Sequence, residues 1–265
     1  MIFFQAIVYG LVQGVAEFLP ISSTAHLILI PYFFHWQDPG LSFDIFLHLG
    51  TVVAIVIFFF WDWVKIFKDG FSRKSNLLWW LVIASIPAGV FGYLFESKAE
   101  TTLRAPLLIA TTLFVFGLML LLVDKLIKHQ KKIKNLGFGK SFLIGLTQAI
   151  AIIPGVSRSG ATMTGGMLVG LKRKSAAKFS FLLATPAMIG AFILDFKKIF
   201  EPTNSGIFSG LGFLPGIVAF IMALVSGYLA IKYLLRYLGK GSFVPFVVYR
   251  ILLAAAIVIF YLLTK

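Results

Sequence analysis

Residues Pro154–Thr162, PGVSRSGAT, interrupt an apolar run that begins near Phe142 and resumes through Met163 to Leu171. A proline, two glycines, three hydroxyl side chains and an arginine fall where a membrane helix would continue. Pro and Gly break helices, and the backbone groups they release must find partners away from lipid. An arginine at the bilayer centre costs at least about 2.5 kcal/mol on insertion scales, so its default reading is functional. The stretch predicts a broken helix whose second half starts at Ser157–Gly160, with its positive end and Arg158 aimed at an anion. The competing reading is a kinked helix with Arg158 snorkelling to the interface.

The surroundings fit a membrane. Of 265 residues, 59% are hydrophobic and 13% charged, 29 are Phe, and the mean hydropathy is +0.96. Such values belong to an all-α polytopic membrane protein and to no soluble class. Without cysteine there is neither a disulfide framework nor a thiol nucleophile. The net charge of +14 is no mark of nucleic-acid binding, because the basic residues sit in short loops between apolar runs. No Lys or Arg precedes the first apolar run, which is expected to stay in the mature protein.

Residues 1–18 are apolar up to Phe18-Leu19-Pro20, and the following piece, Ala25 to Phe34, is too short to span about 30 Å of hydrocarbon. Together they predict a re-entrant hairpin with its tip at Pro20-Ile21-Ser22-Ser23-Thr24. Spanning runs follow at roughly 43–60, 77–95 and 106–123. A second interrupted pair, 141–153 and 160–171, is followed by runs at roughly 178–195, 207–231 and 244–263. The expectation is one membrane domain, 1–265, made of a hairpin plus three transmembrane helices, twice: repeat 1 about 1–135, repeat 2 about 136–265.

Charge orients it. Segments 62–76, 124–140, 172–178 and 232–240 carry a Lys/Arg excess and read as cytoplasmic loops, whereas 96–104 and 195–201 are balanced and read as external. Segment 141–171 then enters and leaves from inside, and the first hairpin from outside, so the second repeat is inverted relative to the first. Gly10-Leu11-Val12-Gln13 echoes Gly145-Leu146-Thr147-Gln148, each ahead of a Pro-bearing tip. Inverted repeats with broken helices place their site where the breaks meet. A full span over residues 1–30 would spoil that symmetry.

Glu17 is the one acid well inside an apolar run, in VQGVAEFLPISSTAHL, and its natural partners are Arg158 or a metal. With a half-helix starting near Ser22, Ser23 and His26 are spaced i,i+3 and Ser22 and His26 i,i+4, on one face. Serine, imidazole and carboxylate together suit an activated nucleophile. Ser-Ser-Thr after a proline is equally an ordinary N-cap. At the second tip, Ser157, Ser159 and Thr162 offer hydroxyls, Gly160 lets backbone approach, and Arg158 offers a fork matched to phosphate oxygens. The P-loop, zincin and dinucleotide patterns are absent. Phosphate handling inside a membrane uses this set best.

GVAEFLPISSTAH and PGVSRSGAT resemble the two signature motifs of the undecaprenyl-diphosphate phosphatases (the UppP or BacA family). The resemblance continues through Thr164-Gly165-Gly166-Met167 and Phe179-Ser180-Phe181-Leu182-Leu183 to Tyr249-Arg250, over essentially the whole chain. It implies release of phosphate from a C55 polyprenyl diphosphate, which recycles the lipid carrier of cell-wall synthesis, in the plasma membrane with the site opening outward. It points to Glu17, Ser23, His26 and Arg158 as the core, with Gln13, Ser22, Thr24, Ser157, Ser159, Gly160 and Thr162 binding substrate. It implies Mg²⁺ or Ca²⁺, with Glu17 as ligand, and counts a homodimer among the assemblies. The family has Glu or Gln where this chain has Gln13, so one carboxylate is missing; a metal would then rest on Glu17, substrate oxygens and water. Ala25 stands where a Gly is usual, which would crowd the approach of the tips. The expected mechanism has Arg158 and the helix ends binding diphosphate and Ser23 attacking with His26 as base; direct attack by water fits nearly as well.

Among weaker candidates, Asp44 and His48, spaced i,i+4, would complete a metal site or face headgroups. Arg250 would bind a carboxylate or headgroup, or form a structural ion pair. Gln13 and Gln148 would orient the hairpins by inter-helical bonds. Trp61, Trp63, Trp79 and Trp80 read as an aromatic belt. The rival function is a transporter or flippase of an anionic lipid or small anion, which needs the anion cradle but no nucleophile.

Overall fold

The computed structural model describes residues 2–100, 102–128, 130–195 and 212–264. Its described residues form eleven α-helices and no strand. Residues 196–211, which hold most of the expected outer loop 195–201 and the start of the run 207–231, lie outside the described residues.

The first hairpin is α1 (Ile2–Phe18) and α2 (Ser23–Phe34), and the second is α7 (Phe138–Ile150) and α8 (Arg158–Leu168). Each break falls where Pro20 and Pro154 remove a donor, and just past the C-cap of α8 comes Gly170, whose φ of 91° only glycine adopts readily. The remaining helices are α3 (Leu41–Phe58), α4 (Phe60–Phe71), α5 (Leu77–Glu100), α6 (Pro106–Leu126), α9 (Arg173–Asp195), α10 (Phe213–Tyr237) and α11 (Val244–Leu263). Five of these are long and apolar enough to cross a membrane, and the pair α3–α4, bent by 65°, passes the same test together. The order short pair then long helices thus occurs twice.

Several boundaries differ from expectation. Segment 60–71 is helical rather than loop. Its apolar residues recur at Phe60, Val64, Phe67 and Phe71, all exposed, while Ile66 and Gly70 turn inward against the protein. That pattern makes an amphipathic helix with its large apolar side chains on the exposed face. Helix α9 begins at Arg173, so Arg173, Lys174 and Lys178 of the expected loop 172–178 lie in its first turns, since Lys and Arg are good helix formers. Ala151–Ile153 belongs to the second tip rather than to α7.

Lipid tails are as apolar as Leu, so helices in a bilayer associate through close approach of small residues. α1 packs along α10 and α7 along α5, while α6 pairs with α11 and α8 with α9. Gly10 of α1 and Gly145 of α7 sit at the two crossings: a Cβ on either would overlap a backbone carbonyl, of Ala219 and Ala84 respectively. These contacts hold both hairpins inside the bundle, where Phe18 at the end of α1 meets Phe181 of α9 edge to face, ring centroids 5.5 Å apart.

Candidate active site

Both tips end in a strained serine. Ser22, the N-cap of α2, has φ 73° and ψ 92°, and Ser157, the N-cap of α8, has φ 71° and ψ 113°. Such backbone costs of the order of 1–3 kcal/mol per residue and persists only where the surroundings enforce it. Ser157 Oγ accepts from Gly160 N at 3.1 Å, and Ser159 Oγ donates across to Leu19 O of the other tip at 2.9 Å.

The main clamp is Arg250, fully buried in α11. Its five N–H donors all end on backbone carbonyls: Leu113 and Thr112 of α6, Pro20 of the first tip, Gly155 and Val156 of the second, at 2.9–3.3 Å. The expected carboxylate, headgroup or ion-pair partner is therefore replaced by carbonyls. Burying the charge costs several kcal/mol, and five charge-assisted bonds of about 1.5–3 kcal/mol each offset it.

Between the tips Glu17, Ser23 and Arg158 converge. Arg158 Nη2 donates to Glu17 Oε1 at 2.5 Å; Ser23 Oγ donates to Glu17 Oε2 at 2.6 Å, and Gln13 Nε2 to the same oxygen at 3.0 Å. Arg158 Nη1 is buried with no acceptor. A cavity of about 170 Å³ opens beside the group, lined among others by Glu17, Ser22, Ser23, Thr24, Ser157 and Arg158. The first turns of α2 and α8 start at this cavity, and their leading N–H groups have no i−4 acceptor.

Other expected residues do different work. His26 does not reach Ser23: its Nδ1 bonds Ser22 O at 2.7 Å, and its Nε2 bonds and its ring stacks on Tyr249 (2.6 Å, interplanar angle 9°). Ser159 and Thr162 spend their hydroxyls on protein partners, Ser159 on Ser157 Oγ and on Leu19 O of the other tip, Thr162 on Arg158 O and on Ser180 Oγ of α9. Gly160 faces Arg250 and Ser157, where a Cβ would come within 3.1 Å of Nη1. Gln13 bonds within its own helix and Gln148 is buried without a partner, so neither bridges the hairpins. Ala25 is buried among Leu29, Ile109 and Leu113 and does not keep the tips apart.

Sequence reasoning undervalued His48. Its Nδ1 is held by Asp44 O at 2.7 Å, so a carbonyl fixes the proton there and turns Nε2 to the cavity, 3.5 Å from Glu17 Oε2. Asp44 reaches Arg104 instead, at 4.0 Å. The i,i+4 spacing of Asp44 and His48 gave only their shared face.

The sequence model of the family described as bacitracin resistance protein BacA matches residues 6–256. The chain belongs to this family. Among BacA relatives, a protein named undecaprenyl-diphosphatase from Moorella thermoacetica is 50% identical over 258 residues, 96% of each chain. Proteins of the same name from Desulforudis audaxviator and Pelotomaculum thermopropionicum are 45% and 44% identical, over 98% of this chain in both cases. The matched BacA region contains both tips, the Glu17–Arg158 pair and Arg250.

Proposed function

We propose that the chain is an integral membrane phosphatase that hydrolyses undecaprenyl diphosphate to undecaprenyl phosphate and inorganic phosphate, returning the lipid carrier to cell-wall synthesis. The observation that carries the reading is the membrane-buried Glu17–Ser23–Arg158 group between two helix N-termini, in a member of the BacA family. A carrier of anions would use the cradle, but has no need of a hydroxyl bonded to a carboxylate.

The diphosphate is bound by Arg158, whose Nη1 lacks a protein acceptor, and by the leading N–H groups of α2 and α8. Ser23 Oγ attacks the terminal phosphorus, and its proton passes to Glu17 Oε2, the acceptor it already contacts. The bridging P–O bond breaks and the lipid monophosphate leaves with its electron pair; water then releases phosphate from Ser23. Arg158 holds Glu17 in place and balances the charge that develops on phosphorus-bound oxygen, the part of the work that dominates phosphoryl transfer. His26 positions rather than attacks: through the Ser22 carbonyl it fixes the tip on which Ser23 stands.

Mg²⁺ or Ca²⁺ fits the donors. Among the described residues no cluster of three acids or histidines exists, but Glu17 Oε2 lies beside the Gln13 side chain, whose Oε1 is buried without a donor. Glu17 and Gln13 would hold such an ion by oxygen, and it would neutralise substrate charge.

The two units, about 1–135 and 136–265, are proposed to be inverted repeats. The paired strained serines, the paired glycine crossings and the exchange of partners (α1 with α10, α7 with α5) support it. The resemblance extends the proposal to the plasma membrane, an outward-opening site and a homodimer. Thr24→Cys in this cysteine-free chain should react with an impermeant thiol reagent from outside whole cells; reaction only in inverted vesicles would reverse the orientation.

The deciding experiment is phosphate release from a C55 diphosphate by purified protein, with and without EDTA, beside Arg158→Ala. Activity lost in Arg158→Ala establishes the reading. A folded, inactive wild-type protein would hand the site to transport.

A further inference from the structure

A second built cavity shares no lining residue with the one between the tips. It has a volume of about 670 Å³ and forms where the loop around Lys132–Lys134, the start of α9 and the α10–α11 turn meet. Seven cationic side chains line it, from Lys132 and Lys134 through Lys172, Arg173, Lys174 and Lys178 to Lys240, and no acid does. Two have acidic partners: Arg173 on Asp124 at 2.5 Å and Lys178 on Asp62 at 2.6 Å. The other five have no ion pair among the described residues.

Backbone bonds hold these like charges together. Lys131 N donates to Gly170 O at 2.9 Å, and Lys172 N returns the bond to Lys131 O at 3.0 Å. Asp124, the partner of Arg173, also accepts from Phe243 N at 3.2 Å, tying the α10–α11 side to the same wall. A topological preference for Lys and Arg in inner loops explains how many are present. It does not explain why three loops are pinned so that five unpaired ammonium groups and the N-terminus of a 23-residue helix face one cavity. Three candidate spans, Arg173–Ile193, Phe213–Tyr237 and Val244–Leu263, end or begin at its walls, so it lies at headgroup depth.

We propose that this cavity binds the phosphate groups of an anionic phospholipid, with a two-phosphate headgroup of the cardiolipin type as the best match to its charge. Basic pockets between membrane helices on the inner side take such headgroups, and each surface Lys contributes measurably. Its position at the ends of the spans favours a lipid phosphate over a soluble one.

The test uses full-length protein in nanodiscs of phosphatidylcholine containing a minority of cardiolipin, with lipid retention read by native mass spectrometry. Lys134→Gln, Lys174→Gln and Lys240→Gln combined, all exposed side chains, should weaken cardiolipin retention by at least about tenfold and leave phosphate release unchanged. The control variant Lys65→Gln, Lys68→Gln and Lys74→Gln removes equal charge from around α4 and should retain cardiolipin as the wild type does. Equal loss in both variants would reduce the effect to bulk charge, and unchanged retention in the first would remove the site; either overturns the proposal. Displacement by inorganic diphosphate at the lipid's own concentration would overturn it too, by making the ligand soluble.

Discussion

The two tips are built alike and used differently. Each places a serine at positive φ immediately before its second half-helix, and the next residue is Ser23 in the first tip and Arg158 in the second. Corresponding positions thus hold a hydroxyl and a guanidinium, and Glu17 at the end of α1 touches both. The first tip is short and leaves its polar side chains toward the cavity. The second is longer and spends Ser157, Ser159 and Thr162 on its own backbone, the neighbouring tip and α9. The first tip presents its hydroxyls to the cavity, while the second spends most of its own on holding its shape.

The sharpest way to break this contrast is at the corresponding pair. Arg158→Ala should cut turnover by about 10³-fold or more, the scale of a lost transition-state arginine. Ser23→Ala should cost at least about 10²-fold, and a phosphoenzyme trapped on wild type should be missing from it; near-wild-type turnover would leave attack to water. Arg250→Met is expected to lower stability by about 3–5 kcal/mol, since five carbonyls lose their donors while both tips lose register, read as a fall in Tm in detergent. If Tm holds and activity falls, the clamp acts on the site alone. His26→Gln and Tyr249→Phe should each cost about tenfold, with the double variant no worse than either; a loss near 10³-fold in His26→Gln alone would restore it as a proton carrier. The smallest effect is expected for Ser159→Ala, about 1 kcal/mol from one hydrogen bond between tips, seen as a slight fall in Tm.

The breaks at Pro20 and Pro154, the membrane class, and Glu17 with Arg158 as the ionisable pair were all legible in the sequence, because proline, glycine and charge in an apolar run leave few physical options. The partners of Ser23 were not. Helical spacing puts Ser23 and His26 on one face, but the N-cap at φ 73° swings the start of α2 so that the hydroxyl meets Glu17, and the imidazole finds a tyrosine 223 residues away. Arg250 misled for a related reason: a lone arginine in a span suggests an acid, and no pattern announces that unwound tips offer carbonyls instead. The helix at 60–71 was hidden by its charges, which read as a loop until their spacing around one face is considered.

Arg250 also sets an order on biogenesis. It lies on the last helix, and the carbonyls it gathers come from the first hairpin, the second hairpin and α6. As the ribosome delivers these segments in turn, the tips stay without their clamp until α11 enters the bilayer. A partly made chain therefore has Ser23 and Glu17 but not the aligned pocket, and hydrolytic competence arrives as a late event of insertion.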